Sequence, residues 1–582
     1  MNLSEKTWNI LFLFFAMLIG GLAGLGAIGF RAFVEFGQWL FWPQGVNFLE
    51  RVINSPWWFK LLIPTLGGLA IGPVIAYWAP EIKGPGVPEV IEAVALQKGA
   101  IRPRVTILKP VFSGLIIATG GSVGREGPVV QIGSAIGSSL AQFFHFTPEK
   151  TRLCLACGAA AGIAATFNAP IAGTLFAVEI ILTDVEVSYL SHIVLAAVVA
   201  TVISRQFLGD FPAFMVTAFR FKHPAELLLY LVLGIGAGLL SVLLIKAIFG
   251  TDTLFQRLPV PDYLKPGIGG LLLGGVGLLC PYVFGVGYES INLTLNEKLT
   301  IMAVLLILGA KFLATVFSLG SGMSGGIFAP SLFLGSMLGT SLAVAADYLL
   351  PGVTLYPADY ALVGMGALVS GTTLGPITAI LTIFELTNTY RIIVPLMVSC
   401  IASLVTVRYL YGYSAYETKL LRKGVNIVRG HEVNLLRSLM VKDYMTKDLE
   451  ILHDYTPLYE ILRRAEESAY PYFVVLNAQG ELSGVLTLWD LRQTLEWTLE
   501  LSALVVAEEL MTKEVVTLTP YDNFETAFNL FEGKNISFMP VVSPYDRKKV
   551  LGILRREDLL TAYNQRVLKY RLLQFPLRKK SG

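Results

Sequence analysis

Two stretches of this chain repeat one another inside long apolar runs, and that duplication restricts the fold more than any other feature. Lys109–Ala141 reads KPVFSGLIIATGGSVGREGPVVQIGSAIGSSLA, and Lys311–Ala343 reads KFLATVFSLGSGMSGGIFAPSLFLGSMLGTSLA. At a constant offset of 202 residues (109 to 311), the matches include Lys109/Lys311, Gly120/Gly322, Gly124/Gly326, Pro128/Pro330, Gly133/Gly335 and Gly137/Gly339. A second stretch repeats at an offset of 206 (170 to 376), pairing Pro170/Pro376, Ile171/Ile377, Leu175/Leu381 and Glu179/Glu385. Residues 10–205 and 225–410 are therefore two related halves.

The halves lie in a membrane. Of the 582 residues, 54% are hydrophobic and 15% charged, against about 25% charged in an ordinary soluble protein. Charge is sparse from residue 8 to about 410 and ordinary after 417. Runs such as Ile10–Phe30, Leu61–Trp78, Leu227–Phe249 and Ile301–Leu319 are long enough to cross or nearly cross a bilayer. About a dozen such runs are expected, several short or broken by Gly and Pro. The first reads as a retained helix, too long for a cleaved signal and lacking a small-residue cleavage site. Lys and Arg between Arg422 and Arg429 fit a cytoplasmic flank.

Each half carries a Gly-rich break, then Pro, then a helix rich in small residues. Pro suits a first helical turn, where its missing N–H is no loss. Helix starts inside a membrane are tolerated only where they line a cavity or are buried in protein. At matching positions of two halves they point to a transport site. A helix N-terminus offers free N–H groups and about half a positive charge. Two such ends facing each other from inverted repeats would cradle an anion. Desolvating a small ion costs on the order of 20 kcal/mol in the idealised limit, and one dipole returns at most about 2 kcal/mol. Several donors must therefore converge. A divalent-cation transporter would need acidic clusters here instead, and the two helix-start motifs carry a single Glu. No nucleophile–base pair or metal motif supports an enzyme. The net charge of +3 is too weak for nucleic-acid binding, and the five His are scattered. Cys154 and Cys157 form a CxxC without a second pair, which reads as small residues on a helix-packing face.

The motifs GPGVPE (Gly84–Glu89), GREGP (Gly124–Pro128) and GGIFAP (Gly325–Pro330), in this order, resemble the CLC family of chloride channels and transporters. The resemblance covers nearly the whole chain. It implies a homodimer with one pore per subunit, carrying chloride or a similar small anion such as nitrate. The anion site it implies draws on Pro85, Gly86, Arg125, Gly127, the N–H groups of Ile327 and Phe328, and the hydroxyl of Tyr416. Arg125 also reads as a structural residue. Glu126 would be the gate, its carboxylate standing in for an anion until protonated or displaced. Two positions depart from the family. Pro85 replaces a serine that donates to chloride, and related proteins with Pro here favour nitrate. Ile180 replaces the proton-transfer glutamate of many exchangers, as in CLC channels. Glu179 precedes it, and its repeat mate Glu385 gives it a structural reading. Arg125 is the residue common in exchangers, so exchange and passive conduction both stay open.

The tail repeats as well. Met445 matches Met511 at an offset of 66 (445 to 511), and GVLTLWDL (Gly484–Leu491) matches GILRREDL (Gly552–Leu559) at an offset of 68 (484 to 552). Each unit combines short alternating strands with two helical runs and resembles one of a tandem CBS pair, here about 439–500 and 506–570. Such pairs often bind ATP, ADP or AMP. The resemblance places Asp490 and Asp558 on the ribose hydroxyls, Thr487 beside the first, and Arg555 where phosphate would lie. A dimerising scaffold with no ligand is the other reading. The expected architecture is thus an all-α polytopic membrane domain of two inverted repeats with broken helices over 1–425, then an α+β CBS module over 435–582, cytoplasmic and regulatory.

Overall fold

The computed structural model describes residues 5–42, 45–182, 187–210, 214, 219, 223–296, 300–349, 355–423, 425, 439–468, 470–492, 504–534 and 536–562. Of the basic flank, Arg422 and Lys423 are among them, whereas 424 and 426–429 lie outside the described residues. The same is true of 493–500 and 563–570 in the two tail units. The chain divides into two compact units, Met1–Gly430 and His431–Gly582.

The first unit is helical, and its helices pair across the halves. α1 (Glu5–Phe41), α3 (Trp57–Pro73), α4 (Val87–Leu96), α5 (Val105–Ala118), α6 (Glu126–Phe143), α7 (Pro148–Phe167), α8 (Pro170–Phe176) and α9 (Val187–Leu208) build the first half, with the short α2 (Phe48–Asn54) between α1 and α3. Their counterparts are α10 (Glu226–Arg257), α11 (Lys265–Leu279), α12 (Tyr288–Leu295), α13 (Ile301–Gly320), α14 (Phe328–Leu349), α15 (Pro357–Thr373), α16 (Pro376–Thr387) and α17 (Ile393–Leu410). A last helix, α18 (Ala415–Arg422), follows. Among the described residues, seven helical stretches are long and apolar enough to cross a membrane. Others, such as α4, α8 and α16, are too short to cross, as breaks within the apolar runs require.

Small residues set the packing of the interior. Gly133 of α6 and Gly158 of α7 meet so closely that a Cβ on either would lie within 2.1 Å of the other's carbonyl oxygen. Gly335 of α14 and Gly364 of α15 repeat the crossing in the second half. Without a hydrophobic drive inside lipid, such close backbone approach is what holds helices together. Cys154 and Cys157 are buried in α7, and the Cys154 carbonyl packs on Gly137.

A local twofold relation joins the halves. Gly124 donates to the Gly326 carbonyl and Gly326 donates to the Gly124 carbonyl, both at 2.7 Å, in an antiparallel bridge. Reciprocal pairing of a residue with its own repeat mate is what a twofold axis between them produces. Glu179 and Glu385 obey the same relation. Glu179 accepts from the N–H groups of Ile377 (3.1 Å) and Thr378 (2.7 Å), and Glu385 accepts from those of Ile171 (3.1 Å) and Ala172 (2.7 Å). Each carboxylate satisfies the helix start of the opposite half.

The second unit is α+β. β1 (Ile451–His453) runs parallel to β2 (Tyr472–Leu476), which pairs antiparallel with β3 (Leu482–Thr487). β4 (Phe538–Val542) pairs antiparallel with β5 (Val550–Arg555). The counterpart of β1 in the second repeat is a single parallel bridge, Leu518 to Val541. Pro520, two residues on, has no N–H with which to extend a ladder. The two repeats also exchange segments. Leu439 and Val441 pack in the core with Phe524, Met539 and Leu554, and Ala507 and Met511 pack with Leu452, Phe473 and Leu486. Each repeat's leading segment thus completes the other's core.

Candidate functional site

The three Gly-rich motifs meet where the helices of the membrane unit begin. The loop before α4 is fixed by its carbonyls. The buried ammonium of Lys109 donates to the carbonyls of Ile82 and Gly84, each at 2.9 Å. Gly325 donates to Gly84 at 3.2 Å, and the Ser324 hydroxyl donates to Ile82 at 2.6 Å. Gly84 and Gly86 adopt φ of 76° and 88°, a region that favours glycine. Pro85 between them presents its carbonyl to the start of α6. A Cβ on Gly127 would lie 1.9 Å from that oxygen, so only glycine lets the two backbones touch. Pro85, Gly86 and Gly127 are therefore one contact.

Glu126 begins α6, and its carboxylate is buried. It reaches the helix start of the other half, where Oε2 accepts from the Ala329 N–H at 3.3 Å. At the repeat offset of 202 residues, Glu126 corresponds to Phe328 and Gly127 to Ala329 (126 to 328, 127 to 329). The carboxylate therefore crosses the twofold and occupies the anion-attracting end of α14. Ile327 and Phe328 are buried beside it, at a helix start whose N–H groups have no intrahelical acceptor. Tyr416 is buried on the first turn of α18. Its position is set by a capping box. Ser414 accepts from the Glu417 N–H at 3.0 Å, and Glu417 accepts from the Ser414 N–H at 2.6 Å. Lys419 ties the same helix to the loop before α4 through the Lys83 carbonyl at 2.7 Å and to α4 itself through Glu89 at 2.5 Å.

Sequence reasoning missed Tyr288. Its hydroxyl donates to Glu126 Oε1 at 2.8 Å, and the Arg125 guanidinium lies 4.9 Å from the centre of its ring. Both residues line a cavity of about 360 Å³ together with Arg31, Glu35, Asn168 and Glu289. The repeat carried the signal. Gly285 and Gly287 fall on Gly84 and Gly86 at an offset of 201 (84 to 285), which puts Tyr288 on Val87.

Ile180 lies buried in a π-helical turn, Ala177–Leu182, with its side chain against Gly375. Glu179 is committed to α16, where it also accepts from the Thr378 hydroxyl at 2.7 Å. Glu179→Gln places an amide donor among N–H donors, at a cost of ~1–3 kcal/mol. The melting temperature in detergent is expected to fall, and also in Glu385→Gln, with the chloride-to-nitrate preference unchanged. An altered preference at unchanged melting would instead put Glu179 on the ion path.

In the tail unit, Asp490 Oδ2 accepts from the Thr487 N–H and hydroxyl at 2.8 and 2.7 Å. Arg555 turns to Asp558, with Nε to Oδ2 and one terminal nitrogen to Oδ1, both at 2.8 Å. These bonds raise the Arg555 pKa further above its ordinary value. Tyr470, Tyr472 and Phe538 stack beside the pair.

Residues 67–408 match the model of the voltage gated chloride channel family. Residues 441–496 and 506–565 match that of the CBS domain. The chain is 38% identical over 420 residues to a putative chloride channel protein ClcB-like from Ralstonia nicotianae, covering 71% of this chain and 97% of that protein. It resembles the crystal structure of a slow cyanobacterial Cl−/H+ antiporter, with 28% identity, a TM-score of 0.64, and 71% of this chain and 97% of that one covered. With 21% identity and a TM-score of 0.62, the crystal structure of a eukaryotic CLC transporter shares the fold over 95% of this chain and 99% of its own. These relatives are channels and transporters rather than enzymes, and nothing in them favours a divalent-cation carrier. The helix starts brought together around Glu126 are thus those of a multi-pass membrane protein that belongs to the voltage gated chloride channel (CLC) family and carries two CBS domains behind its membrane part.

Proposed function

We propose that this protein carries chloride and nitrate through a pore in each subunit of a homodimer, and that Glu126 is the gate. The observation that supports this best is the carboxylate seated on the α14 helix start, held by the Ala329 N–H. Helix starts attract anions, and a carboxylate there competes with the transported ion. The site itself would be lined by Pro85, Gly86, Arg125, Gly127, Ile327, Phe328 and Tyr416. With Glu179 spent on α16 and Ile180 apolar, positions 179–180 offer no free proton carrier. This favours anion conduction whose gate responds to protons. Strict exchange is the second reading, favoured by the antiporter among the structural relatives. The test is chloride and nitrate flux into liposomes with proton movement followed in the same sample. Absence of flux for both anions would overturn the proposal. Proton movement locked to anion flux in a fixed ratio would select exchange.

We also infer that the CBS module is cytoplasmic and binds an adenine nucleotide through Thr487 and Asp490. Asp558 is engaged at both oxygens by Arg555, which leaves the first repeat as the better ribose site. ATP, ADP or AMP titrated into the full chain should give binding heat, and Asp490→Ala should weaken it roughly tenfold, the scale of one charge-assisted hydrogen bond. No heat with any of the three would leave a ligand-free scaffold.

A further inference from the structure

The second half holds a loop that copies the anion-site loop of the first. Lys311 is buried like Lys109, and its ammonium donates to the carbonyls of Val283 at 2.9 Å and Gly285 at 2.8 Å. These carbonyls fall on Ile82 and Gly84 at the offset of 201 (82 to 283, 84 to 285). A buried ammonium is costly unless it is fully hydrogen-bonded, so each half spends one on fixing the loop ahead of a short helix. Gly285 and Gly287 have φ of 64° and 92°. A Cβ on Gly287 would lie 2.5 Å from the Phe333 ring. The loop is therefore as tightly specified as its mate, and what it delivers is Tyr288, the first residue of α12.

We propose that Tyr288 is a positioning residue of the gate, a clamp whose hydroxyl holds the Glu126 carboxylate on the α14 helix start and must release it for the pore to open. This rests on Glu126 being the gate. The acceptor carries the argument. A purely structural tyrosine would be as well served by a backbone carbonyl, yet Tyr288 donates to the titratable carboxylate of the site at 2.8 Å. The ring is held from two sides, by Arg125 at 4.9 Å and edge-on by Phe214 at 5.7 Å. When the carboxylate swings away the hydroxyl stays, so the bond is remade when the gate closes. Tyr288 and Arg125 also wall the cavity of about 360 Å³, which places the clamp between that cavity and Glu126. The charged and titratable groups around Glu126 are Arg125 on its own helix cap, Tyr288 on α12 and Tyr416 on α18, and Glu289, next to Tyr288, lines the cavity. The start of α14 contributes Phe328 and Ala329, with Ile327 just before it, none of which titrates. Of these, Tyr288 is the side-chain donor on the carboxylate.

Chloride flux of the full chain in liposomes, measured across pH, tests this with Tyr288→Phe, Glu126→Gln and the double variant. Phenylalanine keeps the ring contacts and removes one oxygen. A hydrogen bond to a charged group corresponds to about one pH unit or more in the balance it controls. Tyr288→Phe should therefore move the midpoint of the flux–pH profile by about one unit toward higher pH and raise flux severalfold on the alkaline side. In the Glu126→Gln background the same change should do nothing. A Tyr288→Phe profile that overlays the wild type, with Glu126→Gln flat, would overturn the clamp and leave the gate. A Tyr288→Phe effect that persists without the carboxylate would overturn it too, because Tyr288 would then act on the ion path directly. If Glu126→Gln itself keeps the wild-type profile, the gate reading fails first.

Discussion

Glutamine at position 126 is expected to make transport independent of pH and to abolish any proton movement coupled to it. The side chain keeps its length and can still accept from the Ala329 N–H, as Glu126 does at 3.3 Å. What it loses is charge. A carboxylate on the α14 start mimics the anion and is stabilised by the same N–H groups and dipole. A neutral amide has no such hold against an arriving chloride, so the gate stays in its open balance at every pH. In the wild type, flux on the alkaline side should fall up to ~tenfold per pH unit, because the protonated fraction of a single carboxylate falls at that rate and each unit is worth 1.36 kcal/mol. In Glu126→Gln that slope should be zero, with flux at alkaline pH equal to flux in acid. The measurement is initial chloride efflux from liposomes at matched internal and external pH. A slope retained in the mutant would mean that another group sets the response.

The residues that made the paired helix starts legible are those the repeat aligns letter for letter. Gly124 and Gly326, Pro128 and Pro330, and Glu179 and Glu385 are identical pairs, so both the twofold and the shared role of the two glutamates are legible in the residues alone. The loops before α4 and α12 share only a proline and two glycines, Pro80, Gly84 and Gly86 against Pro281, Gly285 and Gly287. Their equivalence shows in the backbone, in carbonyls drawn to Lys109 and Lys311, and a carbonyl's direction leaves no trace in residue type. Tyr288 went unread for that reason. It matches Val87 in position and nothing in chemistry.

The tail taught a different lesson. Both CBS repeats were visible, but the exchange of leading segments was not, since Leu439 and Ala507 look equally suited to either core. Arg555 was read as a phosphate ligand from its position alone. In the structure Asp558, three residues on, takes both ends of its fork. Nucleotide phosphate would have to displace this bidentate pair.

Serine at position 85 is expected to shift the nitrate-to-chloride preference toward chloride by roughly tenfold to a hundredfold. Position 85 lies between two glycines of positive φ, and its carbonyl is pinned against Gly127. Proline there fixes φ near a value that serine also adopts, so the exchange keeps the backbone path. What changes is the donor set. Proline has neither hydroxyl nor N–H, and in the proposed site the anion then relies on the start of α14 and on Tyr416. Chloride concentrates its charge on one small atom and loses most from a missing donor. Nitrate spreads the same charge over three oxygens and loses less. A hydrogen bond to a charged group is worth about 1.5–3 kcal/mol, and about 1.4 kcal/mol is one decade of selectivity. With the new hydroxyl on the anion, that range converts into the one-to-two-decade shift. Gly127 is untouched, so assembly should be that of the wild type. The measurement is the ratio of exchange rates for the two anions in the same lipid, wild type against Pro85→Ser. A ratio that does not move, or moves toward nitrate, would mean that selectivity is set by the backbone of the α14 start and not by the side chain at position 85.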